Sequence, residues 1–233
     1  GGHAPRGAGQ PGGVSRRDVM AIKTETLSKM ERERKDEATR VIVTMPGVVR
    51  GFDAMHLRTH DGSAYALRAQ DAAVPFTTSL LVVREYDGQN VARALERDFA
   101  EHGVPYVLRM DRAACHRGDP VKPLLDAARV LVLHGPPRFP RFYGQLERPH
   151  VDYRVFAPAG ECRTIREHAS ELERVRVLLN CEWCRRSLDY NTAETSWNSR
   201  VVPALDRLVL REEVEEIGRK ITAKRTRFSE DTW

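Results

Sequence analysis

Residues 48–62, VVRGFDAMHLRTHDG, decide the fold. Val48, Val49, Phe52, Met55 and Leu57 make the run apolar, and Asp61-Gly62 closes it. A short apolar run ending on Asp-Gly reads as a strand entering a hairpin. Residues 64–74, AYALRAQDAAV, and 77–86, TTSLLVVREY, read as the second and third strands of an antiparallel meander. Residues 88–103 place Val91, Leu95 and Phe99 at helical spacing and end on Gly103. Residues 104–111, VPYVLRMD, read as a buried strand, and 119–135 as a short helix followed by the strand Val-Leu-Val-Leu. Three strands, a helix, a strand, a helix and a strand predict an α/β fold. Its mixed sheet, three antiparallel strands then two parallel ones, is flanked by helices.

The flanks are read the same way. Residues 1–14 are Gly, Pro, Ala and Gln without apolar period, a disordered composition. Residues 15–40 predict one helix capped by Ser15, with a solvated charge run over 31–37. Residues 136–144, PPRFPRFYG, are loop-like, and 145–156 predict a helix that Pro149 weakens. Thr164 and Glu167 form a capping-box pair at the start of a helix over 164–180, and 205–226 are amphipathic. The expected organisation is a start at 1–40 with room for a truncated DNA-binding region, a core at 41–160 and a helical extension at 161–233. The chain opens on Gly1 without Met, so an upstream piece is expected.

The 233 residues hold 38 Lys+Arg against 33 Asp+Glu, a net charge of +5, and the mean hydropathy is −0.51. This excludes collagen, rods and disulfide scaffolds, and no apolar run is long enough to span a bilayer. The mild positive charge permits a nucleic-acid partner without requiring one. Cys181 and Cys184 have C-x-x-C spacing but no second pair of ligands follows. On a helix they read as small core residues, and a reducing cytoplasmic location is expected. No histidine pattern stands out, and His134 and His150 are expected at the surface.

Three acids stand out by position. Asp53 lies inside the first strand, Asp111 ends the fourth, and Glu147 follows the proline-rich loop in Gly-Gln-Leu-Glu-Arg. A carboxylate inside an apolar strand is costly without compensation, and a divalent cation can supply it, since oxygen donors suit Mg²⁺ and Mn²⁺. With the same residues, Asp111 also reads as a turn or cap residue and Glu147 as a partner of Arg148.

From about Val48 to Val155 the chain resembles the catalytic core of retroviral-type integrases and the related bacterial insertion-sequence transposases. Gly51–Leu57 resembles the strand with the family's first Asp, and the following hairpin carries Asp71 where many relatives have Asp. VPYVLRMD resembles the strand ending in the second Asp, and the proline-containing stretch through Glu147-Arg148 the G-x-x-E-R motif. Fifty-eight residues separate Asp53 from Asp111, and 36 separate Asp111 from Glu147. Tyr190-Asn191-Thr192 is similar to a downstream transposase motif.

The resemblance implies a ribonuclease H-like fold and catalytic, metal-holding roles for Asp53, Asp111 and Glu147 with Mg²⁺ or Mn²⁺. It also implies DNA as partner, both transposon ends and target, and a homo-oligomer near the nucleoid. The family cuts a phosphodiester with water and joins the exposed 3′-hydroxyl to target DNA. Two patterns depart from the family: Arg112-Ala113-Ala114 follows the second Asp, and Ala193-Glu194-Thr195 follows Tyr-Asn-Thr. Arg138, Arg141 and Arg148, interleaved with aromatics, are the expected phosphate contacts. Two other readings stand beside strand transfer: a transposase remnant that only binds DNA, and a ribonuclease H-like nuclease that only hydrolyses.

Overall fold

The structure is a computed structural model that describes residues 20, 23–28, 43–134, 144–158 and 162–224, with only the backbone of 145–147 and 221–224. The chain divides into two compact units, Gly1–Ile42 and Val43–Trp233. In the first, residues 23–28 are helical and the Thr24 hydroxyl donates to the Met20 carbonyl at 2.9 Å. The rest of the helix expected over 15–40, and the stretches 1–14 and 135–143, lie outside the described residues.

The second unit is built on five strands: β1 (Val49–Thr59), β2 (Gly62–Asp71), β3 (Thr77–Val83), β4 (Val107–Met110) and β5 (Leu131–His134). Their order is β3-β2-β1-β4-β5, with β1 to β3 antiparallel and β4 and β5 parallel to β1. Gly62 turns β1 into β2 at φ 122°, which a side chain would resist. Among the described residues of this unit seven α-helices lie between and after the strands, numbered here in chain order. They are α1 (Gly88–His102), α2 (Ala114–Arg117), α3 (Val121–Ala127), α4 (Gly144–Phe156), α5 (Ile165–Val177), α6 (Ala193–Asn198) and α7 (Arg207–Lys224). The Asp87 carboxylate caps α1 by accepting from Asn90 N–H at 2.8 Å. The Thr164–Glu167 capping box opens α5. Pro149 sits inside α4, and the helix forms around it.

The strand period of two sorts β1 between two cores. Phe52 joins Leu67, Ala69, Leu108 and Met110 under Val91, Leu95 and Phe99 of α1. Met55 and Leu57 join Ala64 and Ala66 under Tyr153 of α4 and Leu172 and Val175 of α5. Both sheet faces are covered over the first half of β1, where Arg50, Gly51 and Phe52 are buried in succession, while from Met55 to Arg58 buried and exposed residues alternate. Asp53 shares the parity of Met55 and Leu57, which turns it to the α4 face.

Helix α5 runs into a π turn, Leu178–Glu182, that carries the buried Asn180. Its side chain accepts from Thr77 N–H at 3.0 Å and donates to Thr77 C=O at 2.9 Å, closing the end of β3. Asn180→Ala strands both backbone groups. We expect a loss of about 1–3 kcal/mol, read as a lower urea midpoint at unchanged slope.

The cysteines depart from expectation. Cys184 is exposed and Cys181 half-buried, because the π turn ends between them and no single helical face holds both. The four cysteines form no disulfide among the described residues. Among the described residues no helix is long and apolar enough to cross a membrane.

Candidate active site

The parallel pairing of β1 and β4 sets the site. Val49 lies opposite Val107, Arg50 opposite Leu108 and Gly51 opposite Arg109. Carried on by two residues, the register brings Asp53 level with Asp111, the residue after Met110. Neighbouring strands lie roughly 4.8 Å apart. Asp111 follows the end of β4, and its carboxylate meets His116, whose ring packs on Phe52 of the α1 core. The face that Asp53 shares with Met55 is covered by α4, where His150 Nδ1 is 3.8 Å from Asp53 Oδ2. Glu147 lies on α4 one turn before His150. Its side chain lies outside the described residues.

The two carboxylates have different surroundings. Asp53 is 19% exposed, and its Oδ1 accepts from the Ala54 N–H at 2.8 Å. Its cross-strand partner is Arg68, which is buried and lies over the Tyr153 ring, 5.8 Å from the centroid. Burial lowers the Arg68 pKa, and Tyr153, Asp53 and Asp152 oppose that shift. The group stays a cation. His150 is 4% exposed; burial, with Arg68 and Arg154 nearby, pushes its pKa down to about 3. It faces Asp53 as a neutral ring near pH 7, and at 3.8 Å it makes no hydrogen bond. The surface position expected for His150 is thus overturned: the apolar packing of α4 on the sheet carries it inside.

Asp111 is 43% exposed and held by a relay. His116 Nδ1 lies 2.6 Å from Asp111 Oδ1, and His116 Nε2 lies 2.6 Å from the Tyr86 hydroxyl. Burial raises the Tyr86 pKa. A carboxylate only accepts, so Nδ1–H donates to Asp111, and Nε2 pairs with the Tyr86 hydroxyl. The His116 hydrogen bond, with a further one from Ala113 N–H, holds the Asp111 carboxyl below its ordinary range. Phe52 and Tyr86 both meet the His116 ring edge-on at 5.6 Å, which fixes the buried imidazole. His134 is half-buried, and its Nδ1 lies 2.9 Å from the Asp111 carbonyl oxygen.

Of the other expected residues, Arg148 is exposed on α4 beside this face, while Arg138 and Arg141 lie outside the described residues. Asp71 is buried and accepts backbone N–H groups from Gly47 at 2.8 Å, Ala73 at 2.9 Å and Val74 at 3.0 Å. It shapes the turn after β2. The sequence reading missed His116, Tyr86 and His150. Only the placement of His116 five residues after Asp111 hinted at the first.

Oxygen donors on two adjacent strands fit a hard divalent cation. Among the described residues no three His, Cys, Asp or Glu side chains converge as a metal site. A cation here would need a further donor, and α4, which covers the Asp53 face, carries two acids, Glu147 and Asp152.

No family model matches the chain, and no curated protein matches it. Solved structures do. A chain of the simian T-cell lymphotropic virus intasome, solved in complex with the PP2A regulatory subunit B56 gamma, superposes with a TM-score of 0.63 at 12% identity. The match covers 72% of this chain and 60% of that one, so the chain spans well under the full length of the intasome protein. The HTLV-2 integrase catalytic core, solved in complex with magnesium in a trimeric form, superposes with a TM-score of 0.55 at 10% identity. That match covers 65% of this chain and 96% of that core. The fold is ribonuclease H-like. The BIV integrase catalytic core adds a TM-score of 0.53 at 19% identity, covering 65% of this chain and 94% of that core. All are retroviral integrase catalytic cores or the assembly that contains one, and this chain shares their mixed five-stranded sheet.

Proposed function

We propose that the chain is a metal-dependent DNA strand transferase of the integrase and transposase kind. In this reading Asp53, Asp111 and Glu147 hold Mg²⁺ or Mn²⁺. One observation supports it: the β1–β4 pairing ends on Gly51 opposite Arg109, two residues before Asp53 and Asp111, and α4, which bears Glu147, covers the Asp53 face. Two such ions, if held by these acids, would supply activation of the attacking oxygen and stabilisation of the leaving one. The chain's own residues prepare that step. His116 keeps Asp111 ionised and oriented, and neutral His150 adds no charge to compete for Asp53. Arg68 balances Asp53 from the neighbouring strand.

The likeness to integrase cores makes DNA integration the supported class of activity. The finer assignment, a bacterial insertion-sequence transposase acting on transposon ends and target DNA at the nucleoid, rests on the sequence resemblance. So does action as a homo-oligomer, since two ends must be paired.

The test is Mn²⁺-dependent nicking of plasmid DNA and joining of a 3′-hydroxyl oligonucleotide to it, by the wild type and by Glu147→Gln. We expect both reactions from the wild type. The variant is expected to fall by about a thousandfold, the equivalent of roughly 4 kcal/mol of lost transition-state stabilisation. Equal rates would remove Glu147 from the site. Nicking without joining would leave a hydrolytic nuclease.

A further inference from the structure

A cavity of about 560 Å³ opens on the α4 face beside the acids. Its sheet wall includes Gly51 and Arg109, each two residues before Asp53 and Asp111. Two residues of strand are roughly 7 Å, so the cavity begins that far from the carboxylates. Four guanidinium groups line it: Arg68 and Arg109 from the sheet, Arg148 from α4, and Arg185 from the loop after the π turn. Two carboxylates share the lining, Asp71 and Asp152. Asp71 accepts from the three backbone N–H groups described above, which are neutral and cancel no charge. With Arg68 set against Asp53 across the strands, three further guanidinium groups stand against two carboxylates, a small positive excess.

The arginines are placed by the fold. Arg68 is 2% exposed, and Gln70 accepts from its guanidinium. Arg185 is held by its backbone, which pairs with Asn191 through Arg185 N–H to Asn191 C=O at 3.1 Å. Its side-chain Nε is buried from water and does not open on the cavity. A guanidinium meets an anion best through paired N–H donors. Arg148 stands at the exposed side with no hydrogen bond or ion pair among the described residues. A floor of placed arginines and one open cation make a receptor for an anion. The volume exceeds what a lone phosphate ion fills, and Arg is the side chain that recognises phosphate bidentately.

We infer that this cavity binds a phosphodiester group of a nucleic-acid strand, separate from the acids and adjacent to them. Its nucleic-acid source rests on the proposed function; its anion chemistry rests on the arginines alone. The cavity holds the strand by its backbone, which sets register without reading sequence.

The test uses the whole protein in EDTA, so that binding is read without metal or turnover. A labelled single-stranded oligonucleotide is titrated by fluorescence anisotropy over a range of salt, and inorganic phosphate by calorimetry. Arg148→Ala together with Arg185→Ala is expected to weaken oligonucleotide binding at least tenfold. The slope of log affinity against log salt should fall by about 0.7 for each phosphate that the variant no longer neutralises. Arg148→Ala alone, at an exposed position, gives a smaller loss in the same direction and guards against misfolding of the double variant. Arg186→Ala, exposed and outside the cavity lining, is expected to stay within twofold of the wild type. Overturning results are a double variant with wild-type affinity and slope, or losses no larger than those of Arg186→Ala. Inorganic phosphate binding as tightly as the oligonucleotide would overturn the phosphodiester assignment. Failure of Mn²⁺-dependent nicking by the wild type would overturn the proposed activity and leave these titrations unchanged.

Discussion

Asp98→Ala is expected to be among the most destabilising single changes in the chain, costing about 3–5 kcal/mol. Arg50 and Asp98 form an ion pair whose side chains are 1% and 0% exposed. The Arg50 guanidinium also donates to the Gly103 carbonyl at 3.1 Å and lies 5.7 Å from the centre of the Trp197 ring. Trp197 stacks on Phe76 at 5.1 Å and carries Arg200 at 3.7 Å on its ring. One guanidinium thus ties β1 to the end of α1 and to α6. Removing Asp98 leaves that charge buried without its counter-ion, and the desolvation cost is no longer offset. For a chain of this size the loss corresponds to a fall in Tm of roughly 6–20 °C.

The control is Glu101→Ala, which breaks the Arg97–Glu101 pair three residues further along α1. Those side chains are 56% and 47% exposed, so the change is expected to stay within about 0.5 kcal/mol. Replacing both buried partners, Arg50→Met with Asp98→Leu, is expected to recover much of the loss, since paired burial roughly breaks even against apolar packing. Thermal or urea unfolding of the three variants decides it. A loss below about 1 kcal/mol for Asp98→Ala would mean that water reaches Arg50.

Local signals told most where the chain solves its problems locally. The hairpin at Asp61-Gly62 shows because positive φ at Gly62 needs a glycine. The end of α1 shows for the same reason, with Gly103 at φ 77°. The Thr164–Glu167 box marks the start of α5 because both its hydrogen bonds lie within one turn. The strands of the sheet were legible as apolar runs, and Asp53 and Asp111 stood out because carboxylates are costly there.

Register was not legible. The β1–β4 pairing joins residues about 58 apart through a parallel contact, and no turn residue encodes it. Asn180 closes on Thr77 across 103 residues for the same reason. His116 escaped notice because α2 is a single turn, too short for any period to show. His150 escaped because Pro149 obscured the helix that buries it.

The second large effect concerns Asp111 and separates a ligand from the residue that positions it. Asp111→Asn is expected to abolish metal-dependent nicking, with a fall on the order of a thousandfold or more, because a neutral amide cannot replace a charged donor to a divalent ion. His116 touches neither substrate nor metal in this reading; it orients Asp111 through the 2.6 Å contact and is itself oriented by Tyr86. Removing a partner that orients a metal ligand costs roughly 10–100-fold in metal affinity or activity. His116→Ala should therefore raise the Mn²⁺ concentration needed for half-maximal nicking by that factor, with much of the rate recovered at saturating metal. Tyr86→Phe removes the outer hydroxyl of the relay, keeps the ring against His116, and should shift the metal requirement less. The decisive readout is the metal titration. If His116→Ala lost activity as completely as Asp111→Asn at every Mn²⁺ concentration, His116 would belong to the chemistry itself. If it changed nothing, the relay from Tyr86 to Asp111 would be packing alone.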